Sequence, residues 1–160
     1  MVRLLMKTGR YCQVLWARRI TMVNPRTKGH GFESQMVNRI HADLGIAAKR
    51  NLDQYRLEHQ GDIIVDDPNF LFPAIECKRY ATGPFQKDWM EQAKRAAQKL
   101  DGQPCVIFKF DYKPVQVAML LSTVLDVGCY DRPPSSAVIT SQEIVFTSWD
   151  GFCTIAREAM

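Results

Sequence analysis

The stretch that most limits what this chain can become is residues 61–80, GDIIVDDPNFLFPAIECKRY. Ile63, Val65, Phe70, Phe72 and Ile75 supply strand-forming side chains on both sides of Asp66-Asp67-Pro68-Asn69, a run of turn residues, so the segment reads as a β-hairpin. If it folds about Asn69, Asp62 and Glu76 fall opposite each other, because each lies seven residues from that pivot. Side chains directly opposite across a strand pair share a face, roughly 5 Å apart. Strand side chains also alternate, so Lys78 joins Glu76 on that face while Ile75 and Cys77 turn to the other, buried side.

Two carboxylates and an ammonium on one sheet face are costly unless something compensates, because like charges repel and burial disfavours ionisation. A divalent cation would compensate. Oxygen ligands on a rigid strand pair suit Mg²⁺, which takes one or two carboxylates and keeps waters for a substrate phosphate. Lys78 is then placed to orient or deprotonate a water, or to stabilise charge on a phosphate under attack. A solvent-facing salt-bridge ladder is the other reading of the same three side chains.

At 160 residues, with ordinary apolar and charged fractions, the chain suits one domain with a sizeable core. Its 21 basic residues outweigh 17 acidic ones by a net +4, and the excess is N-terminal. Residues 1–30 hold Arg3, Lys7, Arg10, Arg18, Arg19, Arg26 and Lys28 with no acid, leaving the remainder net acidic. A basic arm is an electrostatic partner for nucleic acid, although solubility or targeting accounts for it equally well. The five cysteines, Cys12, Cys77, Cys105, Cys129 and Cys153, are odd in number and never form a C-x-x-C pair, which argues against a disulfide framework or a zinc site and for a reducing, cytoplasmic setting. No signal peptide or apolar run of bilayer-spanning length is present, so a soluble protein without a membrane partner is expected.

Residues 1–27 are weakly periodic and read as a basic, flexible N-terminal arm, with Met22 a plausible internal translation start and an organelle transit peptide the competing reading. Lys28-Gly29-His30-Gly31 leads into a helix over residues 32–44, with Phe32, Met36, Val37, Ile40 and Leu44 on one stripe and Gly45 as the stop. Glu33 is expected in its first turn, where the helix dipole favours a carboxylate, or else leaning toward the Asp62/Glu76 face as a further metal or water ligand. A short strand over residues 47–51 carries Lys49-Arg50, and a polar connection over residues 52–60 carries Arg56, His59 and Gln60. Arg50 and Arg56 are candidates for phosphate contacts, and His59 and Gln60 could line the site.

Downstream, a helix over residues 85–100 presents Phe85, Trp89, Ala93, Ala96, Ala97 and Leu100 inward. A second hairpin follows over residues 105–110 and 115–121, then a short helix over residues 120–127 and a loop over residues 131–136. A strand over residues 144–146 and a last helix, capped by Thr147 or Ser148, close the chain. Residues 28–130 are thus expected to form the core, with residues 131–160 packing on it as loop, strand and helix.

The order of these signals, a helix with Glu33, then Gly61-Asp62, then Ile75-Glu76-Cys77-Lys78, then a helix and more strands, resembles the PD-(D/E)xK nuclease superfamily over residues 28–121. Lys28-Gly29 before Phe32-Glu33, and the Lys49-Arg50 pair, look most like the archaeal-type Holliday junction resolvases and their phage-encoded relatives. That resemblance implies a single restriction-endonuclease-like α/β domain, a mixed central sheet flanked by helices, working as a homodimer on branched DNA with Mg²⁺ or Mn²⁺. It further implies that Asp62 and Glu76 ligate the metal with the Cys77 main-chain carbonyl, that Glu33 assists, and that Lys78 serves the attacking water. Lys28, Lys49, Arg50, Arg56 and Arg79 are the expected nucleic-acid contacts. Gly61 stands where the superfamily often has proline, and Glu58-His59-Gln60-Gly61 replaces the serine and glycine common in the resolvases, which bears on junction specificity more than on nuclease chemistry. Restriction, repair or exonuclease action on the same fold, and a non-catalytic nucleic-acid-binding module, are the alternatives.

Overall fold

The structure, a computed structural model, describes residues 25–52, 61–127 and 143–160. The hairpin predicted around Asn69 is there: β2 (Ile63–Val65) pairs antiparallel with β3 (Ala74–Tyr80) in the register Ile63↔Ile75 and Ile64↔Ala74. That register puts Asp62 opposite Glu76. Its paired part is shorter than expected, because Phe70 and Phe72 leave the ladder and bury their rings in the core from the connecting loop. Asp67 closes the turn, accepting the Asn69 N–H on its carboxylate at 2.9 Å and the Phe70 N–H on its carbonyl at 3.2 Å.

Around this pair a six-stranded sheet assembles in sequence order. β1 (Ala48–Arg50) adds antiparallel to β2, while β4 (Cys105–Phe110), β5 (Gln116–Leu120) and β6 (Ile144–Ser148) extend the other edge. Only β3 and β4 run parallel, which requires a crossover, and α2 (Lys87–Lys99) provides it. The sheet is therefore mixed, as expected.

Alternation sorts the strand residues onto two covered faces. Ile63, Ile75, Ile107, Val117 and Met119 meet Phe32, Met36 and Ile40 of α1 (Pro25–Leu44) and Phe152 of α4 (Trp149–Glu158). On the opposite face Val106, Phe108 and Ala118 meet Trp89, Met90 and Ala93 of α2. Each fully buried large apolar side chain contributes about 1.5–3 kcal/mol, so helices on both faces hold the sheet that carries the charged residues. The small α3 (Leu121–Asp126) follows β5.

Three boundaries depart from expectation. α1 starts at Pro25 rather than near Phe32, so Lys28-Gly29-His30-Gly31 is helical and residues 25–27 belong to α1 rather than to an arm. Proline suits a first helical position, and packing beyond it overrides two glycines. α2 begins at Lys87, leaving Phe85 before it, where its ring still packs on Trp89 and Phe108. Leu100, expected inward, sits at the helix C-cap and is 45% exposed. The last helix is capped as anticipated, Ser148 Oγ accepting the Gly151 N–H at 3.1 Å. Residues 1–24, the connection bearing Arg56, His59 and Gln60, and the loop at 131–136 lie outside the described residues. Among the described residues no helix is long and apolar enough to cross a membrane.

Candidate active site

The site begins with a backbone conformation. Gly61 has φ +74°, and a Cβ there would stand 3.3 Å from both the Ala74 Cβ and the Ile75 carbonyl oxygen, so glycine alone suits the position. Asp62, the next residue, is pinned on both sides. Its N–H donates to the Ile75 carbonyl at 3.0 Å, and its carbonyl accepts the Asn51 N–H at 2.8 Å. The buried Asn51 amide also donates to the Gly61 carbonyl at 3.1 Å. With its main chain fixed, the Asp62 carboxylate turns onto β3 and accepts the Cys77 N–H at 2.8 Å.

Glu76, only 8% exposed, follows on the same face, and Lys78 Nζ donates to Glu76 Oε1 at 2.6 Å. The three side chains that the sequence placed together are together. Strand residues direct N–H and C=O to the same edge, so the Cys77 carbonyl faces the Asp62 edge of β3. The Cys77 thiol lies against the α1-side core instead.

Electrostatics follow from that crowding. Burial, and then the Glu76 charge, raise the Asp62 carboxyl from 3.8 to about 7, against the opposing pull of the Cys77 N–H and Lys78. Burial would lower the Lys78 ammonium, but the charge and hydrogen bond of Glu76, with Asp62, override it and hold the lysine above its ordinary value. Burial pushes the Cys77 thiol well up, and the nearby carboxylates add to that, so it is no nucleophile. Among the described residues a half-buried Asp62 and a buried Glu76 thus face Lys78. A hard divalent ion fits this oxygen donor set, since it would relieve the repulsion that raises Asp62. Among the described residues no group of three or more His, Cys, Asp or Glu side chains is arranged as a metal cage, so main-chain oxygen and water would complete such a site.

The remaining predicted site residues distribute unevenly. Glu33 is not in a first turn: α1 starts eight residues earlier, so the helix-dipole explanation fails. It is 7% exposed and bound by Arg50, with Nη2 at 2.7 Å and Nε at 2.8 Å from Oε2. Arg50 therefore faces α1 and answers a buried acid. Glu33 still lies near enough to add to the upward push on Asp62. Lys49 is exposed, and its register with Ile64 sets it on the face of Glu76 and Lys78. Lys28 and Arg79 converge on Asp111, Lys28 Nζ donating to Oδ2 and Arg79 Nε standing 3.6 Å from Oδ1. Those cations, Lys28 foremost through its hydrogen bond, hold the Asp111 carboxyl below the usual carboxylate range.

Asn51 and Asp111 shape the site without having been singled out. Asn51 reaches a carbonyl ten residues away, which no local pattern signals. Asp111 sits in Asp111-Tyr112-Lys113-Pro114, where turn chemistry explained it sufficiently. The cations it gathers come from α1 and β3.

A mixed sheet whose parallel pair is bridged by a helix, with an acid at the start of one strand and an acid-x-lysine on its neighbour, defines a nuclease of the PD-(D/E)xK superfamily with a restriction-endonuclease-like fold. Over residues 24–159 the chain matches the family described as "Phage putative PDDEXK endonuclease", and it belongs to that family. Among solved structures it is similar to Hjc of Archaeoglobus fulgidus, a Holliday junction resolvase from an archaeal hyperthermophile, with a TM-score of 0.51 and 15% identity over 81% of this chain and 99% of that one. At that identity the likeness is one of fold. No curated protein matches the chain.

Proposed function

We propose that this protein is a divalent-cation-dependent endonuclease that hydrolyses phosphodiester bonds in DNA, with branched DNA such as a Holliday junction as its substrate. The observation that carries the reading is the close Asp62–Glu76 pair with Lys78 bound to Glu76. Asp62 and Glu76 would hold Mg²⁺ or Mn²⁺ with the Cys77 carbonyl, and Glu33 would bias the site from behind Asp62. When bound, the ion supplies positive charge at the scissile phosphate and acidifies an attacking water.

The chain's own residues do the rest. Lys78, held by Glu76, donates to a phosphate oxygen and stabilises the charge that builds as the phosphorus is attacked. Lys49 on the same face tracks the strand backbone, while Lys28 and Arg79, gathered by Asp111, engage phosphates on the other side. Asn51 and Gly61 keep the Asp62 carboxylate in place, which matters because small misplacements cost large factors in rate. The fold likeness to a resolvase supports branched substrates and a homodimer that cuts paired strands.

The test is cleavage of labelled four-way, flap, single-stranded and duplex DNA with and without Mg²⁺. Four-way DNA should be cut in paired strands by wild type, and Asp62→Asn and Glu76→Gln should leave it intact. Full Mg²⁺-dependent cleavage by either variant would remove the mechanism, and equal cutting of all four DNAs would remove the branch preference.

A further inference from the structure

The charged stripe on β3 does not stop at Lys78. Glu76, Lys78 and Tyr80 alternate onto one face, and Tyr80 is the last residue of the strand. Although 45% exposed, its ring is not free to swing. It stacks on Trp89 with centroids 5.1 Å apart and planes inclined by 12°. Trp89 is 3% exposed and wedged by Phe85, Phe108 and Phe110 at centroid distances of 5.3, 6.1 and 6.4 Å. The main chain is tied as well, since the Tyr80 carbonyl accepts the Asp111 N–H at 3.0 Å. The result is a flat aromatic surface, backed by a second one and held still, beside the candidate active site.

Its position sets what it could meet. Two residues of strand rise separate Tyr80 from Lys78, about 7 Å along the sheet. That is about two steps of stacked duplex, or about one nucleotide of an extended strand. In continuous duplex the bases are stacked on one another and offer only their edges, so a flat ring beside the cut finds sugar and phosphate. A base released at a branch, a fray or a gap presents its π-face, and aromatic side chains take such bases by stacking. The stack on Trp89 holds the Tyr80 ring and leaves it half in solvent at the end of the charged stripe.

We propose that Tyr80 is the stacking platform for one unpaired nucleobase next to the phosphate held at Asp62, Glu76 and Lys78, and that this contact selects DNA with an unpaired base at the cut over continuous duplex. The inference rests on the nuclease reading above and names the feature of the substrate that its site recognises.

The test places 2-aminopurine, a base whose fluorescence is quenched by stacking, at successive positions around the branch point of flap and gapped DNAs. These are bound without cleavage by the Asp62→Asn protein, carrying Tyr80, Tyr80→Phe or Tyr80→Leu. Quenching on binding is expected at one position with Tyr80 and with phenylalanine, and is expected to vanish with leucine. Leucine should also weaken flap binding about tenfold while changing duplex affinity by less than about twofold. An abasic site at the quenched position should weaken binding equally without any change to the protein, which covers the case of a leucine variant that does not fold. Quenching at no position, or an unchanged flap-to-duplex ratio for folded Tyr80→Leu, overturns the platform. Failure of the Tyr80-bearing protein to bind any DNA overturns the nuclease reading, and the platform with it.

Discussion

Replacing Asp62 by asparagine should make the cation-free protein more stable while removing its activity. The Asp62 carboxyl stands at about 7 in the folded protein against 3.8 ordinarily, raised by burial and then by Glu76. A raised acid pKa means the folded state holds a proton that the unfolded chain has released, so this group's contribution to stability falls as pH rises from about 4 to about 7. Three units correspond to about 4 kcal/mol once both states are ionised, which is a ceiling because water still reaches the carboxylate. Asparagine removes the charge and keeps an oxygen for the Cys77 N–H. The gain expected at pH 8 is therefore about 2–4 kcal/mol. Urea unfolding of both proteins in EDTA at pH 4.5 and pH 8 measures it. The two should differ by only about 1 kcal/mol at the lower pH, where the unfolded aspartate is already largely ionised, and separate further at the higher. Added Mg²⁺ should then narrow the gap by stabilising wild type alone. A difference that is the same at both pH values, or an asparagine variant that is the less stable at pH 8, refutes the claim that the buried acid pair strains the fold.

Three further outcomes follow from the same geometry. Gly61→Ala forces a Cβ to 3.3 Å from the Ile75 carbonyl at a φ of +74°, and should cost about 1–3 kcal/mol in urea unfolding together with most of the cleavage; full activity would mean that the Asp62 backbone is not held as described. Lys78→Met leaves Glu76 without its hydrogen-bonded cation, so cleavage should drop by about a hundredfold or more while DNA binding, measured in Ca²⁺, stays within a few fold; a parallel loss of binding would make Lys78 a docking residue instead. Asp111→Asn releases Lys28 and Arg79 for phosphates, so DNA affinity should rise at low salt and the dependence of log K on log salt should steepen by about one to two units; an unchanged slope would exclude those cations from the DNA surface.

What the sequence made legible was governed by local rules. The pivot at Asn69 could be read because an Asp-Asp-Pro-Asn turn lies between β-branched and aromatic residues, and period-two alternation then fixes which side chains share a face. Asp62, Glu76 and Lys78 followed from counting. The start of α1 could not be read, because Lys28-Gly29-His30-Gly31 is poor helix locally and is held by partners distant in sequence, such as Asp111 for Lys28. The same distance hid the fate of Arg50, whose acid is on a helix seventeen residues earlier. Phe70 and Phe72 were strand-like by composition, but burial in the core could be satisfied from a loop as well as from a ladder.

These failures and successes meet at one place in the sheet. Where two acids must stay close, the chain fixes the backbone beneath them, through a glycine conformation, the Asn51 amide and the Cys77 N–H. Arg50 neutralises Glu33 separately on the α1 side. Among the described residues Lys78, bound to Glu76, is the cation that acts on Asp62. In the proposed mechanism a divalent cation from solution would relieve the repulsion between the two acids.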